Sequence, residues 1–302
     1  ADPDQGLRPP VGRSGRPEAG RQSYSIDAVN EFEKIIEDMY SHCEAQKLDV
    51  DTLIHESGLA QMEVNFLHGD ALDLADQVFV FKRTMRETAL RNGVFATFMA
   101  KPMANEPGSA LHIHQSIVDT KTGLNIFSQE DGSEHPRFRH FIGGLQQFTP
   151  AAMAFFAPSV NSYRRLSPDF AAPTNMHWGY ENRTTGIRIP DSNAQARRVE
   201  NRFPGADCNP YLAIAVSLAC GYLGMKQGIM PSQPHTGDAY AEPLTVPRSL
   251  EASLRLLDEQ SALKDVLGPS FVRAYKAVKS HEFEAFNKVI SSWEREYFLL
   301  NV

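Results

Sequence analysis

The chain has 302 residues, 42% hydrophobic and 10% aromatic, enough to bury one large core or two smaller ones. Its formal net charge of −7 argues against nucleic acid as the main partner. Three widely spaced cysteines without a CxxC motif predict neither a disulfide framework nor a zinc knuckle, and they fit a reducing cytoplasm. No stretch resembles a signal peptide, and the apolar run 211–225 is shorter than the roughly 20 residues that a membrane span needs.

The N-terminal segment 1–22 is rich in proline, glycine and arginine and is predicted to be irregular, ahead of a folded domain over 23–302. Apolar residues at helical spacing predict helices over 26–46 and 71–91, and Asn92-Gly93 ends the second one. Short strands are predicted at 53–54, 62–67, 94–100 and 110–117.

The second half of the chain is predicted to be mainly helical. Helices are expected over 137–157, 210–228, 248–266 and 270–299. Asn209 suits the N-cap of one of them, and Pro210 suits its first position. Because helices and short strands follow one another without regular βαβ alternation, the order favours an α+β fold over a doubly wound sheet.

Arginine is concentrated between Asn161 and Pro204, where there are seven arginines, four acidic residues and no lysine. Guanidinium groups suit phosphate and carboxylate oxygens. The stretch 197–204 is predicted to be a strand, and its alternation puts Arg198, Glu200 and Arg202 on one face. Two guanidinium groups beside one carboxylate suit a polyanion held together with a divalent cation. The alternative is a salt-bridged ladder on the surface.

Other segments supply candidate ligands for such a cation. His112 and His114 stand two apart in a predicted strand, so both imidazoles project from one face. Glu56 and Glu63 lie on either side of a short turn. With Glu200, they give three carboxylates and an imidazole, a set that suits Mg²⁺ or Mn²⁺ better than Zn²⁺. Taken singly, each of these residues could equally be structural or face water.

The chain contains neither GxxxxGK[ST] nor GxGxxG, so it has no Walker loop and no dinucleotide-binding turn. No local motif supports a serine or cysteine nucleophile. Phosphates would have to be held by arginine and metal, and the chemistry that remains is phosphoryl transfer by positioning and charge neutralisation.

Four motifs in order resemble those of glutamine synthetases, and the resemblance covers nearly the whole chain from about Tyr24. The motifs are Lys101-Pro102-Met103 with 108–114, then 161–166, then 182–190, and finally 198–204 with 209–212. Within that family, further segments are similar to those of γ-glutamylpolyamine synthetases. These segments are 24–27, 96–102, 162–165 and Trp178-Gly179.

The resemblance implies a glutamine synthetase-type catalytic domain over 23–302, with a curved, mostly antiparallel sheet flanked by helices. It implies ATP-dependent ligation, in which the γ-carboxylate of glutamate takes the γ-phosphoryl group of ATP and an amine then displaces phosphate. ATP and Mg²⁺ (or Mn²⁺) are the implied cofactors. The implied partners are glutamate, a small amine and further copies of the chain in a cytoplasmic homo-oligomeric double ring, with no nucleic acid and no membrane.

Motif position also implies a role for each site residue. The implied metal ligands are Glu56, Glu63, His112 and Glu200. Groups that resemble contacts to ATP and the transferred phosphoryl group are Ser116, His114, Arg183, Arg188 and Arg198. The implied glutamate-binding set is Gly108, Arg165 and Arg202. Among all of these, the implied catalytic residues are Arg183, Glu200 and Arg165.

Two departures from the family pattern bear on the amine. Ammonia-using members have a glutamate on the flap after Arg-Leu-x-Pro, where this chain has Ala171, and Pro107 stands where they have asparagine. A methyl group can neither hold an ammonium ion nor take its proton, and it leaves space for a larger amine. Ala171 and Trp178 therefore favour a polyamine, and the alternative is an ammonia-using glutamine synthetase.

Family members begin with a small β-grasp domain and a strand with a Glu-x-Glu metal pair, and these 302 residues start after both. The sequence is consistent with a fragment, with numbering that omits an upstream part, or with a reduced paralogue. A non-catalytic remnant that forms rings or binds a partner is thus a further alternative.

Overall fold

In a computed structural model, the described residues are 6–168 and 171–302. They contain nine α-helices and six β-strands in an α+β arrangement, as predicted. The helices are α1 (Ile26–Asn30), α2 (Glu33–Ala45), α3 (Ala71–Arg91), α4 (Pro136–Phe156), α5 (Pro210–Gln227), α6 (Leu250–Glu259), α7 (Ser261–Leu267), α8 (Pro269–Asn287) and α9 (Ser292–Phe298). The strands are β1 (Val50–His55), β2 (Met62–Phe66), β3 (Ile113–Gln115), β4 (Trp178–Tyr180), β5 (Ile187–Ile189) and β6 (Val199–Asn201).

A four-stranded sheet runs in the order β3-β6-β5-β4. The β3–β6 and β6–β5 pairs are antiparallel and the β5–β4 pair is parallel, so the sheet is mostly antiparallel. The register places Glu200 opposite both His114 and Arg188. Since side chains alternate along a strand, these three residues share one face, and apolar residues such as Val199 and Ile187 pack into the core from the other.

The main core lies between the apolar face of this sheet and the helices α4 to α8. Helices α4 and α5 cross closely, because a Cβ built on Gly144 would lie 2.2 Å from the carbonyl oxygen of Cys220. Helix α5 begins as predicted, with the Asn209 side chain accepting from the N–H of Leu212 and Pro210 at the first position. It ends at Gly228, whose φ of 66° is left-handed and suits glycine.

A second, smaller core lies where α2 and α3 pack against the antiparallel hairpin β1–β2. Its buried members are Met39, Cys43 and Phe81. Lys82 of α3 ties this part to the main body, because its ammonium group donates to the carbonyls of Ala206 and Cys208 at 2.7 and 2.8 Å. The hairpin is thereby held against the segment that follows β6.

Several predicted elements are confirmed, namely the helices 71–91, 137–157 and 210–228 and the strands on either side of Ser57-Gly58. The predicted strand 94–100 is wrong. This stretch has no β-partner among the described residues, and Phe98 packs instead against Phe81, under the cationic ends of Lys82 and Arg86. Apolar alternation alone does not make a strand, because a strand also needs a neighbour to pair with.

Other predicted elements are shorter or divided. The strand expected over 110–117 is β3 (Ile113–Gln115), and the strand expected over 197–204 is β6 (Val199–Asn201). The helix expected over 26–46 is two helices, and those expected over 248–266 and 270–299 also divide. Between α8 and α9 the reason is local, since Ser291 caps α9 in a capping box with Glu294.

Within the described ranges, no helix combines the length and hydropathy needed to cross a membrane.

Candidate active site

Glu200 lies in the middle of the four-stranded sheet, on its polar face. It is 2% exposed, and its carboxylate accepts from Arg188 Nη1 at 2.6 Å and from Arg202 Nη1 at 2.7 Å. His112 Nδ1 lies 3.4 Å from Glu200 Oε1. Burial opposes ionisation, but the neighbouring histidines and guanidinium groups lower the pKa of Glu200 to about 2. The residue is therefore a buried carboxylate between two cations.

The sequence predicted that Arg198 and Arg202 would flank Glu200, and for Arg198 this is wrong. Strand β6 begins only at Val199, so Arg198 lies just outside the sheet, and its Nε donates to His114 Nδ1 at 3.2 Å. The second guanidinium comes from the neighbouring strand, because the register brings Arg188 opposite Glu200. Cross-strand pairing, and not alternation within one strand, selects the partner.

Arg188 is shared between two carboxylates. Its Nη1 donates to Glu200, and its Nη2 donates to both oxygens of Glu181 at 3.1 and 3.0 Å. Burial lowers the pKa of Arg188, but the two carboxylates outweigh it and raise the pKa. Glu181 was not among the predicted site residues, although its place two residues before Arg183 in an arginine motif was an available signal. The predicted contact of Arg188 with ATP stays a prediction.

Both histidines present neutral imidazoles to the cleft. Burial, with a further contribution from Arg202, lowers the pKa of His112 to about 3, and burial also lowers the pKa of His114. His114 Nδ1 accepts from Arg198, so its proton is on Nε2. The His112 side chain keeps 30% of its surface exposed. A neutral imidazole with an accessible lone pair is the form that binds a metal ion.

The predicted glutamate-binding residues come together behind this face. A Cβ built on Gly108 would lie 2.4 Å from Arg165 Cγ, so the glycine backbone lies directly against that side chain. Arg165 is 4% exposed and donates to the carbonyl of Phe203. Burial lowers the pKa of Arg165 to about 10, and the positive charge of Arg202 acts in the same direction. One guanidinium side chain, that of Arg165, therefore lies against Gly108, and Arg202 is close enough for its charge to act on Arg165.

Asp207 is a further half-buried charged residue that was not among the predicted site residues. Its Oδ2 accepts from Ser159 Oγ at 2.9 Å and from Ser162 Oγ at 2.6 Å. Its charge opposes the effect of burial on the pKa of Arg165. Asp207 thus joins the short 3₁₀ turn Ser162–Arg164, which precedes Arg165, to the start of α5. Its position just before the Asn209-Pro210 helix start was the only signal in the sequence.

The β1–β2 hairpin brings Glu56 and Glu63 together. Burial raises the pKa of Glu56, and the charge of Glu63 raises it further, while Arg183 opposes both. Arg183 is exposed, and its Nη1 donates to the hydroxyl of Tyr24 at 3.4 Å. A carboxylate whose pKa is raised by a like-charged neighbour is a place where a cation would relieve repulsion.

The four predicted metal ligands form two pairs. Glu56 lies with Glu63 on the hairpin, and His112 lies with Glu200 on the sheet; within 6–168 and 171–302, no three His, Cys, Asp or Glu side chains are close enough to hold one ion. The donor types nevertheless fit Mg²⁺ or Mn²⁺, and the mutual repulsion of the hairpin pair favours a cation there. The complete ligand set stays a prediction.

Trp178 was predicted to favour a larger amine, but it does not line the cleft. It is 0% exposed, and its indole N–H donates to the carbonyl of Ser232 at 2.9 Å.

Ala171 is exposed with a left-handed φ of 56°, directly after Asp169 and Phe170, which lie outside the described residues. Ser116 follows β3 and is exposed. With Trp178 buried away from the cleft, Ala171 and Pro107 are the two departures from the family pattern that still bear on the choice of amine.

Residues 2–298 match the catalytic domain of glutamine synthetase. The chain belongs to the glutamine synthetase family. It is 34% identical over 282 residues to gamma-glutamylputrescine synthetase of Escherichia coli (strain K12), covering 93% of this chain and 60% of that protein. It is also 34% identical over 283 residues to glutamate–isopropylamine ligase of a Pseudomonas species, covering 92% and 60%. Glutamine synthetase of Thermus thermophilus is 31% identical, with 97% of this chain and 68% of that protein covered.

Solved structures agree with this family membership. Ligand-free GmaS has a TM-score of 0.85 and 30% sequence identity, covering 96% of this chain and 69% of that chain. A complex of GmaS with ADP has the same TM-score and identity. The chain spans about 60% of the length of several curated relatives, so it corresponds to a glutamine synthetase-type catalytic domain.

Proposed function

We propose that the protein ligates the γ-carboxylate of glutamate to an amine, with hydrolysis of ATP to ADP and phosphate. The observation that supports this most directly is the arrangement around Glu200. One buried carboxylate is held by Arg188 and Arg202, with the neutral His112 beside it and Gly108 against Arg165. Such a face presents fixed positive charge where phosphate and carboxylate oxygens must be brought together against their mutual repulsion.

The proposed reaction has two steps. A γ-carboxylate oxygen of glutamate attacks the γ-phosphorus of ATP, the bond to the bridging oxygen breaks, and ADP leaves. The amine nitrogen then attacks the acyl carbon, the bond from carbon to the phosphate oxygen breaks, and the nitrogen loses a proton. Arg165 and Arg202 hold glutamate, and Arg183 neutralises the phosphoryl group in transit. Divalent cations held by the two pairs, Glu56 with Glu63 and His112 with Glu200, would supply further positive charge to the phosphates.

A primary amine larger than ammonia is the proposed acceptor. Two relatives that are each 34% identical are named for ligation to putrescine and to isopropylamine. The motif position of the flap glutamate is occupied by Ala171, which is exposed and has no group that binds ammonium. A second candidate is an ammonia-using glutamine synthetase, because relatives of 31% to 37% identity have the name glutamine synthetase.

The first prediction concerns the acceptor. The protein as encoded in its gene, given ATP, Mg²⁺ and glutamate, is expected to release phosphate only when an amine is added. Putrescine should give a kcat/KM at least about tenfold above that of ammonium, because a pocket without a carboxylate gains affinity from the methylenes of the larger amine. Phosphate release is measured with putrescine, isopropylamine and ammonium. Equal or better use of ammonium would support the second candidate, and release independent of any amine would reject both.

The second prediction concerns position 171. Ala171→Glu restores a carboxylate where ammonia-using relatives have one, and it should raise kcat/KM for ammonium relative to putrescine by roughly tenfold. That factor corresponds to a charged contact of about 1.4 kcal/mol with the ammonium ion. Ala171→Gln is the matched control, because it meets the same left-handed backbone with a side chain of equal size and no charge. If the two variants have the same ratio of ammonium to putrescine use, position 171 does not select the amine.

The family resemblance also leads us to propose a homo-oligomeric ring. Mass photometry of the protein as encoded, with and without ATP and Mg²⁺, tests this. A single species at the mass of one chain would count against the ring.

A further inference from the structure

A carboxylate from the N-terminal segment is buried beneath the hairpin that bears Glu56 and Glu63. The Glu18 side chain is 5% exposed and the His55 side chain 0%. His55 Nε2 lies 3.1 Å from Glu18 Oε1 and 3.3 Å from Oε2. Glu18 Oε2 also accepts from the backbone N–H of Ala60 at 2.5 Å. One carboxylate therefore holds both ends of the turn that joins β1 to β2.

The His55 ring also contacts the backbone of Glu56. His55 Nδ1 donates to the carbonyl oxygen of Glu56 at 2.7 Å, so the ring links Glu18 to the backbone of a predicted metal ligand. On the other side of the turn, Ala60 has a φ of 52°, a left-handed conformation that residues with a Cβ rarely adopt. The turn is thus held in a conformation that depends on the contacts made to it.

The segment that supplies Glu18 is itself fixed to the domain. Sequence analysis predicted residues 1–22 to be irregular, and the described part has no helix, but its backbone is bonded to other elements. The N–H of Arg13 donates to the carbonyl of Glu31, and the N–H of Tyr24 donates to the carbonyl of His55. Glu18 is therefore brought to the hairpin by a segment with two further anchors.

We propose that Glu18 and His55 are positioning residues that orient the Glu56–Glu63 hairpin for metal binding. The inference rests on the proposed function, because it assumes that the two glutamates hold a cation. The two buried side chains contact the Ala60 N–H and the Glu56 carbonyl of the turn itself, which points to a requirement for the orientation of this turn. Groups that orient metal ligands in this way typically change metal affinity by about 10- to 100-fold when they are removed.

The test uses Glu18→Gln, which keeps the size of the side chain and removes its charge. Two quantities are measured on protein that circular dichroism shows to be fully folded. The first is hydrogen–deuterium exchange in the turn 56–61, which reports the Ala60 N–H without any metal. The second is Mn²⁺ affinity in the presence of ATP, by calorimetry. We expect faster exchange in the turn and an Mn²⁺ affinity weaker on the order of tenfold, together with a raised KM for metal and an unchanged KM for glutamate.

Arg13→Ala is the matched control, since it removes an exposed ion pair with Glu33 from the same segment and leaves the turn untouched. It should alter neither exchange in the turn nor Mn²⁺ affinity. His55→Asn should weaken Mn²⁺ binding as Glu18→Gln does, and the double variant should be no weaker than either, because the two residues act as one unit.

The possible outcomes distinguish a failure of the proposed function from a failure of the positioning role of Glu18 and His55. If the unsubstituted protein does not bind Mn²⁺, the proposed function fails. If it does bind Mn²⁺ and folded Glu18→Gln binds equally well, only the positioning role is overturned. Should Glu18→Gln not fold, Glu18→Asp keeps the charge with a shorter reach and should show an intermediate affinity. If neither folds, or if Glu18→Asp binds normally, the pair serves stability alone and the inference is wrong.

Discussion

Glu200→Ala is expected to lower both activity and stability. The substitution removes a predicted metal ligand and leaves Arg188 and Arg202 with no carboxylate between them, although their side chains are only 14% and 9% exposed. Removing one partner of a buried ion pair costs about 3–5 kcal/mol in the free energy of unfolding. Lost neutralisation of the phosphoryl charge should lower kcat by roughly a hundredfold or more.

As an implied metal ligand, Glu200 leads the sequence to predict a loss of activity. The structure adds the loss of stability, since Glu200 is a buried counter-ion. Urea unfolding and MgATP affinity are measured on the same variant. Glu282→Ala serves as control, because it removes a carboxylate that is 49% exposed and paired with Lys279, and should change unfolding by less than about 1 kcal/mol. Unchanged nucleotide affinity and rate in folded Glu200→Ala would show that Glu200 is structural only.

Gly108→Ala is expected to weaken glutamate binding more than it weakens the fold. The new methyl group would lie 2.4 Å from Arg165 Cγ and 2.5 Å from the carbonyl oxygen of Ala100. The backbone oxygen cannot move away easily, so the arginine must. Over-packing of this kind costs about 1–3 kcal/mol in stability, and a guanidinium displaced by about 1 Å should raise KM for glutamate by roughly tenfold or more.

Steady-state kinetics with varied glutamate at saturating ATP measures this effect. Gly69→Ala is the control, because its new methyl group would meet nothing closer than Leu74 Cγ at 4.0 Å and the position has no left-handed φ. A second check is Arg165→Lys, which removes the planar donor fork and should raise KM for glutamate in the same direction. If Gly108→Ala lowers kcat and leaves KM for glutamate unchanged, Arg165 does not contact that substrate.

Much of the fold could be predicted because its signals are local. Helix α3 has an N-cap at Asp70, helical spacing of apolar residues and the Asn92-Gly93 stop, and all of these lie within about twenty residues. The kinds of side chain at the candidate site could be predicted for a similar reason. Four short motifs contain the predicted site arginines, both histidines and Glu200, whereas Glu56 and Glu63 lie outside them. The chemistry of those side chains does not depend on the fold.

At position 198, local sequence signals were not enough to predict which charged residues pair. Alternation within one strand selected Arg198 and Arg202 as partners of Glu200. Arg202 is a partner, but the second one is Arg188, from a strand twelve residues earlier. The register between β5 and β6 depends on hydrogen bonds between strands, and a shift by one residue would turn Arg188 to the other face. Trp178 is a similar case, because its burial depends on α4 and on the loop at Ser232.

By itself, then, the sequence determined the family, the long helices and the kinds of side chain at the site, since periodicity, caps and motif residues act over short distances. Only the tertiary structure decided which charges meet. It placed Arg188 against Glu200, Asp207 beside Arg165 and Glu18 beneath the hairpin. The physical reason is that a buried charge is stabilised by whichever opposite charge or polar group the fold brings within a few ångströms, and that neighbour can be far away along the chain.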